Sequence, residues 1–152
     1  MIKRITNPEE FEQVIGDMDD LFDLENSEEG HVLDLKHNKE TIINSFGSSQ
    51  LLAWDVFVWG NKDEGKFNAM CIFLNDKSVK FGKNLFVEFL WLSKNPRVGF
   101  KVFKEAIKFA REKKFEYVVV STAAMNPSEP KLKKLYRKLG FVKDSTTFIA
   151  RL

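Results

Sequence analysis

Glu88 is the one charged residue inside Leu85-Phe-Val-Glu-Phe-Leu-Trp-Leu92, a run that otherwise reads as a core strand. A carboxylate set in such a strand is partly desolvated. That raises its pKa and suits it to act as a general base on an ammonium group. Alternation places it on one face with Phe86 and Leu90. The competing reading is a rim glutamate paired with a lysine. Asp55, inside Leu51–Trp59, is a weaker candidate on the same grounds. Directly after the long strand comes Lys94-Asn-Pro-Arg-Val-Gly99, read as a loop that opens a helix near Phe100. Free backbone N–H groups and the helix dipole favour an anion at such a place.

The third candidate lies in Lys131-Leu-Lys-Lys-Leu-Tyr-Arg-Lys-Leu-Gly-Phe141. Leu132, Leu135, Tyr136 and Leu139 fall at i, i+3, i+4 and i+7, one apolar stripe on a helical period. Lysines and an arginine cover the other face. Gly140 stands where a helix end takes positive φ, and Phe141 and Val142 begin an extended segment. Taken alone, Tyr136 reads first as a core tyrosine.

The elements that must position these residues follow from the rest of the chain. Ile2–Thr6 alternates as a strand. Asn7-Pro8-Glu9-Glu10 has the N-cap, first-turn proline and acidic residues of a helix start. That helix is expected to reach about Leu24, with Phe11, Val14, Ile15, Met18, Leu21 and Phe22 inward. Residues 25–37 read as a polar loop. Asn38–Phe46 reads as a short helix stopped by Gly47-Ser48-Ser49. Leu51–Trp59 and Phe67–Leu74 read as a hairpin around the turn Gly60–Gly65. Asn75-Asp76-Lys77 is expected to break the second strand. Asn84–Leu92 is the long strand, and Phe100–Lys114 is a helix. Tyr117–Ser121 is a fully buried strand by its β-branched run. The closing helix follows a loop at 123–129, and Thr146–Ala150 is a final strand. Short connections make the three central strands an antiparallel meander. The helix after them is long enough to make its flanking strands parallel neighbours.

The chain has 152 residues, of which 43% are hydrophobic and 30% charged, enough for one domain with a real core and no sign of disorder. Fifteen phenylalanines imply an aromatic-rich core. No apolar run approaches a membrane span, and the N-terminal residues are too acidic for a signal peptide. With one cysteine, Cys71, no internal disulfide forms, and a reducing, cytoplasmic setting is expected. Cys71 lies in Ala69–Phe73 and reads as a buried, inert thiol. With two histidines and one cysteine, a metal site of His/Cys type is not expected. Charge is segregated. Residues 1–40 hold 4 basic and 12 acidic side chains, −8; residues 41–93 balance; residues 94–152 hold 15 and 5, +10. Either two halves attract each other, or a basic end holds a polyanion and an acidic arm meets a cationic acceptor.

The -LYRKLGF- element near the end of the chain, after a strand and in this order of elements, resembles the last helix and strand of the GNAT acyltransferase superfamily. The resemblance covers essentially the whole chain. It implies one GNAT-like domain over residues 1–152, an α/β fold of order β-α-α-β-β-β-α-β-α-β, with a mixed, mostly antiparallel sheet and helices on both faces. It implies an N-acetyltransferase that moves an acetyl group from acetyl-coenzyme A to a primary amine, with no metal. Glu88 is then the base, and Tyr136 protonates the departing thiolate. Lys94, Arg97, Val98 and Gly99 hold the pyrophosphate, and a backbone N–H near Leu92 or Ser93 polarises the thioester. Asn126 stands in for an asparagine that the family often places seven residues before the tyrosine. Asn95 and Arg97 occupy places where the family often has glycine, and Pro96 has no N–H to give. Loops at 25–37 and 75–83 are expected to shape the acceptor pocket. The alternative is a GNAT-like protein that no longer catalyses and serves as a binding or structural module, of a kind that occurs in bacteriophages. A nucleic-acid binder using the basic end has no recognised motif behind it. Trp54, Trp59 and Trp91 belong to the core or to a homodimer interface.

Overall fold

The computed structural model describes residues 1–27, 38–46, 55–78, 80–122, 129–143 and 150–151. It divides into two compact units, one of Met1–Phe22 with Asn38–Val120 and one of Asp23–His37 with Ser121–Leu152. The first unit carries a sheet of order β1-β2-β3-β4-β5. The strands are β1 (Ile2–Ile5), β2 (Val56–Asp63), β3 (Lys66–Ser78), β4 (Lys83–Ser93) and β5 (Tyr117–Val119). The first four pair antiparallel. A helical crossover then makes β5 parallel to β4, as the long connection requires.

Helix α1 (Pro8–Asp17) starts as its sequence dictates: the Asn7 side chain accepts the Glu10 N–H at 2.8 Å and Pro8 opens the first turn. One helix to Leu24 was expected, and two are found. The break falls at Met18, and α2 (Asp19–Ser27) restarts there. Gly16 and Asp17 are weak helix formers. Asp17 spends its carboxylate on the Phe67 N–H of β3, at 2.9 Å. Met18 and Phe22 stay buried across the break. Helix α3 (Lys39–Ser45) is capped by Asn38, which accepts from Thr41 N–H.

The sheet has two dressed faces. Ile5, Val58, Met70, Ile72, Leu90 and Leu92 face α1 and α3 and build one apolar cluster with Phe11, Val14, Ile15 and Ile42. The other face is aromatic and lies under α4 (Pro96–Glu112). Phe73 stacks on Phe86 at 4.3 Å and Trp91 on Phe103 at 4.6 Å. Phe57 and Trp59 meet Phe109 at 5.2 and 5.1 Å. The Arg4 guanidinium lies over Phe57 and Phe109. The phenylalanine count is thus used as packing on both faces, where rings bring large apolar area.

Three strand expectations need correction. The hairpin turn is only Glu64-Gly65, both at positive φ (48° and 81°), so Gly60–Asp63 continue β2. Gly60 is glycine because a Cβ there would meet the Phe67 ring at 2.7 Å. Asn75-Asp76-Lys77 does not break β3, because each residue keeps a β4 partner (Phe86, Leu85 and Asn84). Strand β5 is three residues long with Tyr117 58% and Val119 40% exposed, not a fully buried strand. It pairs on one side only among the described residues, and an edge strand leaves such side chains to solvent.

In the second unit, α5 (Glu129–Lys138) ends as expected at Gly140, with φ +90°. Phe141–Lys143 makes no strand pairing among the described residues, and most of the segment that was expected to follow it lies outside them. Leu132 and Leu135 are half-buried and Tyr136 is buried, but Leu139 is 42% exposed, so the apolar stripe stops one turn early. Trp54, Gly47-Ser48-Ser49, most of the 25–37 loop, Asn126 and nearly all of Thr146–Ala150 lie outside the described residues.

Candidate active site

The first feature is an open strand edge. Strand β4 pairs with β3 along its whole length, from Lys83 to Ser93. Its ladder with β5 covers only Leu85, Phe86 and Val87. From Glu88 to Ser93 the β5-side edge of β4 has no strand partner among the described residues. The parting coincides with a bulge: Ile72 pairs with Leu90 and Phe73 with Glu88, so Phe89 is the extra residue. A bulge bends its strand and re-aims side chains. Backbone N–H and C=O groups on a freed edge suit an extended chain that carries amides.

The bulge also corrects the facing of Glu88. Glu88 takes the Phe73 side, with Phe86 and under α4. Leu90 lies on the opposite face, in the cluster with α1. Phe89 turns to that face too, and its ring meets Phe46 edge-on at 5.0 Å. Strict alternation would have put Glu88 and Leu90 together. Glu88 is half-buried. Its charge acts on Cys71, whose thiol is pushed well above its ordinary pKa, first by complete burial and then by Glu88. Cys71 contacts the Val102 carbonyl and is inert, as its apolar run implied. Asp55 sits at the start of β2, exposed.

The second feature is the start of α4. Helix α4 begins at Pro96, not near Phe100, because Asn95-Pro96 repeats the N-cap and proline of Asn7-Pro8. The loop proper is only Lys94-Asn95, and Arg97, Val98 and Gly99 are first-turn residues. The turn is closed by the chain itself. The Asn95 side chain accepts the Arg97 N–H at 2.9 Å, and Ser93 Oγ accepts the Asn95 N–H at 3.1 Å. Ser93 Oγ also donates to the Asn95 carbonyl. Pro96 has no N–H. Among the described residues the Val98 N–H has no acceptor. Lys94 and Arg97 are exposed, so two solvent-facing cations stand at the helix's positive end.

Gly99 has a packing duty. A Cβ there would lie 2.5 Å from the Ser93 Cβ and 2.8 Å from its Oγ. The Trp91 indole donates to the Gly99 carbonyl at 3.0 Å. The glycine therefore seats the first turn of α4 against the end of β4, which puts Lys94, Arg97 and Val98 beside the freed edge at Leu92 and Ser93. Ser93 and Trp91 were not singled out as side chains by the sequence. The signal was present in the second Asn-Pro pair, which places Ser93 two residues before an N-cap.

Tyr136 belongs to the second unit, and its surroundings there are clear. It is 7% exposed, with its ring 5.5 Å from Phe141. The Phe141 N–H returns to the Tyr136 carbonyl at 3.0 Å and the Gly140 N–H to Arg137 at 3.1 Å. These two bonds, with a glycine at positive φ and an apolar contact across the end, make a Schellman cap. The spacing Tyr-x-x-x-Gly-Phe is thus a helix-ending device whatever the hydroxyl does.

An antiparallel meander, a bulged fourth strand that parts from a parallel fifth, and a helix starting at the parting define the class: the chain has the fold of the GNAT acetyltransferases. An aminoglycoside acetyltransferase from an uncultured soil metagenomic sample, solved with sisomicin, is 16% identical, with a TM-score of 0.68 over 100% of this chain and 95% of that one. A second soil metagenomic aminoglycoside acetyltransferase superposes at TM-score 0.71 with 11% identity, covering 100% and 97%. A ribosomal-protein-alanine N-acetyltransferase from Brucella melitensis gives TM-score 0.66 at 12% identity, covering 100% and 98%. No family model matches the chain, and no curated protein matches it. Among the described residues, no helix is long and apolar enough to cross a membrane.

Proposed function

We propose that this chain is an N-acetyltransferase that takes the acetyl group of acetyl-coenzyme A to a primary amine. The observation that carries the reading is the freed edge of β4 from Glu88 to Ser93, ending at the first turn of α4. The residues present fit the co-substrate. The freed edge offers backbone partners to amides of its arm, the Val98 N–H is available to a phosphate oxygen, and Lys94 and Arg97 supply charge in place of a glycine-rich nest. Acetyl-coenzyme A supplies an acyl thioester. Glu88 accepts a proton from the amine as it attacks. A backbone N–H near Leu92 or Ser93 donates to the carbonyl oxygen on which negative charge grows. Tyr136 and Asn126 take their roles from the resemblance alone, Tyr136 as the donor to the leaving sulfur. The acidic residues of the first forty favour a cationic acceptor. Thiol release from acetyl-coenzyme A, followed with a panel of aminoglycosides, polyamines and peptides, tests the reading. Release that depends on an amine supports it; acetyl-coenzyme A hydrolysed no faster than in buffer with every amine sinks it.

A second reading has an observation of its own. The α4 start spends Asn95 and Ser93 on its own amides and has a proline where a donor could stand. A module that keeps the fold and has lost catalysis would tolerate that closure. Binding without turnover would favour it.

A further inference from the structure

At the far end of α4, within the first unit, lies a cleft. Helix α4 has 17 residues, so this end is about 25 Å from Pro96. The cleft holds ≈ 250 Å³ and is lined by Lys77 and Asn75 of β3, Asn84 of β4, and Lys113, Lys114 and Phe115 after the helix. Its size is just under the ~300 Å³ at which small-molecule pockets begin, so it takes a ligand no larger than a mononucleotide, with part of it left in solvent. Two features there lack a structural reason. The Asn75 Oδ1 atom is buried and has no hydrogen-bond partner among the described residues. Buried polar atoms are nearly always satisfied, and Asn75 is one of the residues that line this cleft, so a donor brought into it could complete the amide. The second is Lys114, at φ +60°. The Phe115 N–H returns to Ala110 at 3.0 Å and the Lys114 N–H to Arg111 at 3.1 Å. This is the same cap that ends α5, where the left-handed place is held by Gly140. Here a lysine bears the strain that a glycine would avoid.

The charges around the cleft are mostly of one sign. Among the described residues, the Lys77 and Lys114 ammonium groups have no carboxylate partner. Glu116 is engaged by Lys83 at 3.0 Å. Asp76 lies on the opposite face from Asn75 and Lys77 by alternation. Asp55, beside Asn75 at the start of β2, is not part of the lining. The floor is aromatic: Phe115 packs edge-on against Phe57 at 5.9 Å.

We propose that this cleft binds a small ring-bearing phosphomonoester of mononucleotide size. Its phosphate lies among Lys77, Lys113 and Lys114, and its ring lies against Phe115 with an N–H donated to Asn75. Ammonium groups bind phosphate as point charges, and the amide gives the ring an acceptor that plain charge would not. The site is separate from the start of α4 and stands whether or not the chain transfers acetyl groups.

Calorimetry of the full chain with adenosine 5′-monophosphate tests it. Saturable binding is expected, with adenosine and inorganic phosphate each weaker by about tenfold or more. Lys77→Gln and Lys114→Gly should each lose about tenfold, while Arg97→Glu leaves the affinity unchanged. Lys114→Gly also relieves the backbone, so its melting temperature should rise as its affinity falls; a structural role alone would not give that pair of results. Four outcomes overturn the proposal. They are no binding at millimolar nucleotide, phosphate binding as well as the nucleotide, unchanged affinity in both lysine variants, or a loss confined to Arg97→Glu.

Discussion

Two atom-sized changes separate chemistry from packing at Glu88 and Tyr136. If Glu88 is the base, Glu88→Gln should abolish the ascending limb of the pH–rate profile; an unchanged limb would remove it from the chemistry. Tyr136→Phe deletes only a hydroxyl. As proton donor its loss should slow turnover by about 10²-fold, with the fold intact. As a core residue under Phe141, its loss should cost about 1 kcal/mol of stability and leave turnover unchanged. Steady-state rates and melting curves on the same variants distinguish the two. Gly99→Ala should cost ~1–3 kcal/mol by forcing α4 off Ser93, which denaturant melts would read. Cys71 gives a pH signature. Its thiol ionises harder folded than unfolded, so its contribution to stability is complete below its ordinary pKa of 9.0 and is lost as pH rises beyond it. Cys71→Val should therefore flatten the fall in stability between pH 8 and 10. A slope equal to wild type would contradict the burial.

At the scale of elements, periodicity exposed most of what is regular and missed what is local. The start of the first helix was readable from its cap and apolar period, and the meander and the crossover from the lengths of their connections. The bulge at Phe89 was not, since one extra residue leaves composition untouched while it reverses the facing of every residue beyond it. That is why Glu88 could be singled out by type and still be assigned a wrong neighbour in Leu90. The α4 start was legible in principle, as Asn95-Pro96 repeats Asn7-Pro8, but the glycine at 99 pulled the expected boundary downstream. The buried look of Val118 and Val119 was a strand-edge problem: β-branched residues report strand, not which neighbours cover it. The cap at Gly140 makes a prediction here. Gly140→Ala should cost about 1–2 kcal/mol through its positive φ, and the loss should be far smaller for Gly16→Ala, which has open space and helical φ. Equal effects would mean that α5 does not depend on its cap.

Over the whole molecule, charge is arranged so that 94–152 carries +10. If this is only a diffuse field, any cation on α4 matters alike. If the start of α4 is a cradle, Arg97→Glu should weaken acetyl-coenzyme A binding far more than Arg111→Glu, in the last turn of the same helix. The proposed function puts a thioester at the freed edge of β4, and a direct titration tests that proposal. Acetyl-coenzyme A added to the wild-type chain should give a saturable heat in calorimetry. At ~100 times the dissociation constant, it should stabilise the fold by roughly 2.7 kcal/mol. No heat and no change in melting temperature at millimolar acetyl-coenzyme A would contradict the account.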